Sequence, residues 1–426
     1  MMAVFPHREG KEGIMGSGRF VLWALGVAIL FAGLGLASQG GSDSILGFHT
    51  SQAVGEKRLI VIFVDFPDLT RQYPIEVVSD RLLKLVNAYF YAASYNTMWF
   101  KGEVVGPYVL PHPVEYYRIS AHNLFVDPTR VAALVRDSLA LADPHVLFTP
   151  DAYVVLALGA SNRDYGMVGL CAMPGMLGWS TTTAVRNPRG EEVRSVAIFC
   201  ENAHLGTYVH DIVHMLGGVA EGKRLTPCLY DHDCQAAYER AEDWPKCLFN
   251  MGYWDPLSSH FPYNRELPPA GLSSWTKMRL GWIPEAKIAY VRPGETATVR
   301  LDPLADPAAT TLAIKIPLTE DTYYLIENRQ PVNSDANLPS SGILVLYADD
   351  RVPECREGAA PVRIVDAAPQ VPYFLDAAFD VGKARVFVDT TAGIAVALLA
   401  RVDRSYDVLV TTPVLAPETR TPSEED

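Results

Sequence analysis

Basic residues are sparse and scattered in this chain of 426 residues: 36 Lys and Arg stand against 49 Asp and Glu, a formal net charge of −13. No basic cluster is dense enough to neutralise a phosphate backbone, which excludes a nucleic-acid binder. No internal repeat is present. Cysteine is confined to six positions, and their spacing is not that of a zinc knuckle. What the chain does have is apolar residue content: at 49% apolar and 20% charged it can bury a full core and has the length for two domains.

One long uncharged run stands at the start. Arg8, Lys11 and Arg19 precede Phe20 to Ala37, a stretch without charge that ends in small residues, Gly35 and Ala37. Basic flank, apolar core and small residues describe a secretory signal, and the run is also long enough to serve as an uncleaved membrane anchor. Residues 1–40 are therefore expected to export the rest of the chain, with or without anchoring. In an oxidising compartment an even number of cysteines suggests disulfides. Cys228, Cys234 and Cys247 lie close together, and Cys234–Cys247 is the first expected pair.

Past a Gly/Ser linker at 38–43, RLIVIFVDFPD (58–68) reads as a buried strand closed by a turn. Residues 74–93 carry apolar positions at helical spacing. The stretch 99–117, WFKGEVVGPYVLPHPVEYY, alternates and is broken by Gly and Pro, which predicts short strands at a sheet edge. Asp127-Pro128 has the cap and first-turn proline of a helix running to about 143. AYVVLALG (152–159) and SVAIFC (195–200) read as two more buried strands. This alternation predicts an α/β layer over residues 41–286. From about 287 to 412 the segments are short and alternating, such as TATVRL, TLAIKI, YYLIEN and GILVLY, which predicts an all-β sandwich of roughly eight strands. The fold class expected is thus α+β. Residues 413–426 are acidic and Pro-rich and read as a disordered tail.

The chemistry centres on HLGTYVHDIVHMLGG, residues 204–218. On a helix His210 and His214, four apart, share one face and can offer nitrogens to a single metal ion. Metallopeptidases write this pattern His-Glu-x-x-His, with the Glu as general base on a metal-bound water. Here the base position holds Asp211, shorter by one C–C bond, or about 1.5 Å. Gly217 and Gly218 end the helix, as a chain turning to bring round a third ligand requires. His204 faces another side of the helix and reads as a packed or exposed histidine. Asp231, His232 and Asp233 read as a solvated turn, and Tyr253 and Trp254 as core aromatics.

Downstream motifs extend the pattern: Met251 within NMGYWDPLSS, PPAGLSSWTKMRLGWI at 268–283, YYLIENRQ at 323–330 and LPSSGILVLYADD at 338–350. Together with RLIVIFVDFPD and WFKGEVVGPYVLP, they resemble, in the same order, the immune inhibitor A family of secreted bacterial zinc metallopeptidases. The resemblance spans about residues 57 to 350. It implies a metzincin-like catalytic domain followed by a β-sandwich, a Zn²⁺ cofactor held by His210 and His214, a protein or peptide substrate, and Met251 as the methionine beneath the metal. It also exposes two departures. The family's third ligand is an Asp six residues after the second His; that offset holds Ala220, with Glu221 following. The family's Leu-Tyr-Asp recurs at 229–231, with Cys228 where the family has its Asp. The candidate third ligands are Glu221, foremost, then Cys228, Asp231 and His232. Asp211 in the base position leaves two functional expectations: peptide-bond hydrolysis with Asp as base, or a catalytically impaired homologue acting as a cell-surface binding or structural module. Oligomeric state is not specified by any feature of the sequence.

Overall fold

The computed structural model describes residues 45–119, 126–175, 184–237, 241–264 and 268–413. The expected signal or anchor and the acidic tail beyond residue 413 lie outside the described residues. The expected membrane anchoring finds no support in the structure: among the described residues, which begin at 45, no helix is long and apolar enough to cross a membrane.

The chain is α+β. In the first half, β1 (Gly55–Asp65) leads through α1 (Ile75–Asp80), a π-helical stretch (Arg81–Val86) and α2 (Asn87–Ala93) into β2 (Met98–Val109). Next come α3 (Val114–Tyr117), α4 (Pro128–Ala142), β3 (Tyr153–Leu158), α5 (Asn162–Tyr165) and β4 (Gly169–Met173). A small hairpin, β5 (Val185–Arg186) and β6 (Glu192–Val193), precedes β7 (Ser195–Cys200) and the long helix α6 (Leu205–Gly217). The five-stranded sheet has the order β2-β1-β3-β7-β4, parallel except for β4, which runs antiparallel to β7 at one edge.

Burial explains why its strands read as unbroken apolar runs. Leu59, Val61 and Phe63 of β1 enter one core with α2 and α6, while Ile60, Ile62 and Val64 enter another with α4. A sheet covered on both faces needs apolar side chains at every position rather than every second one. Asp127 caps α4 by accepting from the backbone N–H groups of Thr129 and Arg130. The stretch at 99–117 differs from its reading as several short strands: 98–109 is one strand, parallel to β1, with its register shifting near Gly106 and Pro107. As β2 has β1 as its one neighbour in the sheet, a proline missing its N–H is tolerated there.

After α6 come the hairpin β8 (Val219–Ala220) and β9 (Lys223–Arg224), then α7 (His232–Ala237) and α8 (Ser274–Arg279). The β-rich remainder comprises β10 (Ile288–Tyr290), β11 (Thr296–Leu301), β12 (Ala313–Pro317), β13 (Thr322–Arg329), β14 (Gly342–Asp349), β15 (Val362–Val365), β16 (Val386–Asp389), β17 (Ile394–Val402) and β18 (Ser405–Thr411). They form a five-stranded sheet, β10-β12-β13-β14-β15, and a four-stranded one, β11-β18-β17-β16. The two sheets share a core of Ile326, Val345, Val396 and Val408 among others. The other face of the five-stranded sheet supplies Leu325, Leu344 and Leu346 to the same core as α2 and α6. The described residues from 45 onward lie in one compact unit, whose two halves are joined by the core that α2 and α6 share with the five-stranded β-rich sheet.

Candidate metal centre

Helix α6 is buried along almost its whole length, and His210, Asp211 and His214 are buried with it. The two imidazoles are held alike. His210 Nδ1 donates to the Pro256 carbonyl at 2.8 Å, and His214 Nδ1 to the Thr226 carbonyl at 2.6 Å. A ring that donates through Nδ1 keeps its lone pair on Nε2, the tautomer a metal ligand needs. The two Nε2 atoms lie 3.1 Å apart.

Each accepting carbonyl is fixed by the fold. Asp255, buried, accepts from the N–H of Leu257 through one oxygen and from Ser273 N–H and the Thr276 hydroxyl through the other, which pins the turn carrying Pro256 against α8. Thr226 returns its hydroxyl to the Val213 carbonyl at 2.9 Å, so the strand after the hairpin lies along α6. The return is made at Glu221 and Gly222, with φ of 51° and 73°. Left-handed backbone at both central residues is what a tight two-residue hairpin turn requires.

That hairpin brings Cys228 to the histidines. Its Sγ lies 3.6 Å from His210 Nε2 and 3.4 Å from His214 Nε2. These three form a cluster able to hold a metal ion. A tetrahedral zinc with Zn–N of about 2.05 Å and Zn–S of about 2.3 Å separates its ligands by about 3.3 Å for N–N and about 3.6 Å for N–S. The spacing here matches that within a few tenths of an ångström. Backbone bonds secure the segment: Leu229 N–H donates to Leu257, Asp231 N–H to Cys247 and His232 N–H to Cys355.

The other candidate ligands are placed elsewhere. Glu221 is exposed in the hairpin turn and is not one of the three. Asp231 is buried, but its oxygens accept from Cys234 N–H and Gly358 N–H. His232 is buried too, with Nε2 3.5 Å from Glu354 Oε2. The expected solvated turn at 231–233 is thus mostly interior, because segments 247 and 355–358 close over it. Cys234 and Cys247 are joined by a disulfide, while Cys171, Cys200, Cys228 and Cys355 are free.

Electrostatics favour a thiolate on Cys228 and a neutral imidazole on His214, and run the other way at His210. Burial opposes a charge on Cys228, but His214, His210 and His232 outweigh it and hold the thiol well below its ordinary range. Burial, aided by Arg224, pushes His214 down to about 4, leaving it neutral. His210 is resisted by burial and yet raised by the Cys228 sulfur beside it. Burial lifts Asp211 to about 7. Its carboxylate packs against β4: a Cβ at Gly169 would lie 2.7 Å from Asp211 Oδ2.

Sequence reading missed several contributors. Tyr230 stacks on His210 at 5.9 Å between ring centroids, and His260 meets the same ring edge-on at 5.5 Å. Arg224 is buried among Cys171, Glu354 and Cys228. Tyr230 stands in the Leu-Tyr-Asp motif and could have been singled out; Arg224 and Glu354 carry no local signal. Tyr253, half-buried, packs against Cys228, Tyr230 and Leu248, whereas Trp254 is wholly interior. Met251 is buried in the turn that leads to Pro256. His204 occupies the N-cap position of α6 without a side-chain bond to its backbone, its Nε2 standing 3.0 Å from the Thr207 hydroxyl.

No protein-family model matches the chain, and no curated protein matches it.

Proposed function

We propose that this chain is a metzincin-like, zinc-dependent peptidase acting on protein or peptide substrates, with His210, His214 and Cys228 as the metal ligands. The observation that carries this reading is the convergence of two Nε2 atoms, each on a ring anchored through Nδ1, and one thiolate-prone Sγ at zinc-ligand spacing. The sheet order with a single antiparallel edge strand beside the histidine helix supports it, as does the Met251 turn running into the Pro256 carbonyl. Resemblance to the immune inhibitor A family points the same way.

Bound zinc would polarise a substrate carbonyl and activate a water for attack on it. The chain's own groups do the rest. Pro256 and Thr226 hold the imidazoles in one orientation. Asp211, between the two histidines on α6 with its carboxyl lifted by burial, is the proton acceptor of the site and serves as general base. Gly169, lacking a side chain, leaves the room that carboxylate occupies.

A second reading has its own observation. Asp211 lies against the β4 backbone and interacts with the backbone of Cys171, and a carboxylate engaged there is drawn from the ligands. On that reading the fold is a non-catalytic binding module. Casein hydrolysis by the zinc-loaded wild type, Asp211→Ala and Asp211→Glu decides. Wild-type turnover lost in Asp211→Ala upholds the peptidase; turnover appearing only in Asp211→Glu upholds the module.

A further inference from the structure

A cavity of about 280 Å³ opens at the start of α6, lined by Tyr73, Arg81, Leu85, Ala203, His204 and Leu205 with Asn202. Its one cationic lining group is Arg81, the first residue of the π-helical stretch. Such stretches concentrate at functional sites. The Arg81 guanidinium is anchored from one side, Nη1 donating to the carbonyls of Glu201 at 3.1 Å and Ala203 at 3.4 Å, and it lies 5.0 Å from the centre of the Tyr73 ring.

No carboxylate among the described residues neutralises it. Asp80, its neighbour in the chain, pairs with Lys84 at 2.8 Å. The Glu201 carboxylate accepts the N–H groups of Gln72 and Tyr73 and is itself buried. Behind Arg81 the Tyr208 hydroxyl is fully buried beside the guanidinium without a hydrogen bond of good geometry. An oriented, unpaired guanidinium in a half-apolar hollow suits a planar carboxylate, which it can engage through two parallel N–H donors.

The cavity is connected to the metal centre through two packed rings. His204 lines it, its ring stands 5.9 Å from that of His260, and His260 in turn is 5.5 Å from His210. Six residues of helix separate His204 from His210, about 9 Å of rise, which an extended peptide covers in about three residues.

We infer that this cavity is a substrate subsite in which Arg81 binds a peptide carboxylate, either an Asp or Glu side chain or a free C-terminus, about three residues from the bond cleaved. The inference rests on the peptidase reading for its substrate but concerns binding, so the two can fail separately. Calorimetric titration of the full chain tests it with pentapeptides differing only as Glu or Gln at one position, in series that move that position along the peptide, each made with a free or an amidated C-terminus. At one register, or at the C-terminus, the carboxylate form should bind about tenfold tighter than its neutral twin. The gap should vanish in Arg81→Gln and persist in part in Arg81→Lys. The Glu/Gln arm and the acid/amide arm identify which carboxylate is held. Equal affinities in wild type, no binding of any peptide, or a gap that survives in Arg81→Gln overturns the inference. A carboxylate preference without hydrolysis of any of these peptides by the zinc-loaded chain counts against the peptidase reading and leaves the subsite standing; hydrolysis without preference does the reverse.

Discussion

His232 Nε2 and Glu354 Oε2 face each other at 3.5 Å in the interior, one from the segment that carries Cys228 and the other from the β-rich half. Burial alone would lower His232, but Cys228 and Glu354 reverse that and bring it to about 9. The ring is therefore cationic at neutral pH, directed at a carboxylate and beside the sulfur it stabilises as a thiolate.

Glu354→Gln should weaken zinc binding by up to about tenfold, the low end of the cost of losing a partner behind a ligand, because Glu354 acts on Cys228 only through His232, while leaving the fold intact. A competition titration against a chelating dye measures this. An unchanged affinity would mean that the pair has no bearing on the ligand.

Gly169→Ala is expected to reduce turnover at least tenfold with full metal content. The new methyl would meet Asp211 Oδ2 at 2.7 Å and the Thr207 methyl closer still, and a misplacement of about 1 Å at a catalytic group can cost on the order of a hundredfold. Metal analysis alongside peptide hydrolysis separates the effect on Asp211 from loss of the site.

Arg329 is fully buried, donating to both oxygens of Asp335 at 2.8 Å, to Glu327 at 2.9 Å and to the carbonyls of Trp254 and Gly271. Removing the cation strands two buried carboxylates, so Arg329→Met should cost about 3–5 kcal/mol. Urea unfolding measures it. Because Trp254 belongs to the turn leading to Pro256, the variant should also loosen the hold on His210.

Lys277 gives a pH signature. It is buried over the Tyr95 ring, donates to the Tyr95 hydroxyl at 3.2 Å, and faces Asp335, Arg329, Glu327 and Asp255. Burial lowers it to about 8. A lysine with a lowered folded pKa carries its penalty in full below that value, and the penalty lifts as pH rises toward the unfolded value of about 10.4. Wild-type stability relative to Lys277→Met should therefore rise between pH 8 and 9.5; a flat difference would refute the assignment. Tyr89 and Tyr95, both pushed well above their ordinary range by burial, do not titrate in the folded state in that window.

What the sequence disclosed was what local pattern encodes. Ser195–Cys200 is a strand at the very residues read as one, and the Asp127 cap and the Gly217–Gly218 stop are where turn chemistry put them. Which of the four candidate third ligands meets the histidines was not legible, for a physical reason. Glu221 is the first acid after His214, but the left-handed turn it occupies directs it to solvent, and the chain must double back through β9 before any side chain faces the histidines. Return distance is set by hairpin geometry and by the Thr226 and Leu257 contacts, none of which has a periodicity. In the same way 231–233 looks polar enough for a surface turn, yet residues more than a hundred positions later bury it.

The central claim is a His₂Cys metal centre, and X-ray absorption at the zinc edge of the reconstituted chain tests it most directly. One sulfur at about 2.3 Å with nitrogen or oxygen neighbours at about 2.0–2.1 Å is expected, the sulfur contribution disappearing in Cys228→Ser. A wild-type shell of nitrogen and oxygen alone, or no stoichiometric zinc, would contradict it.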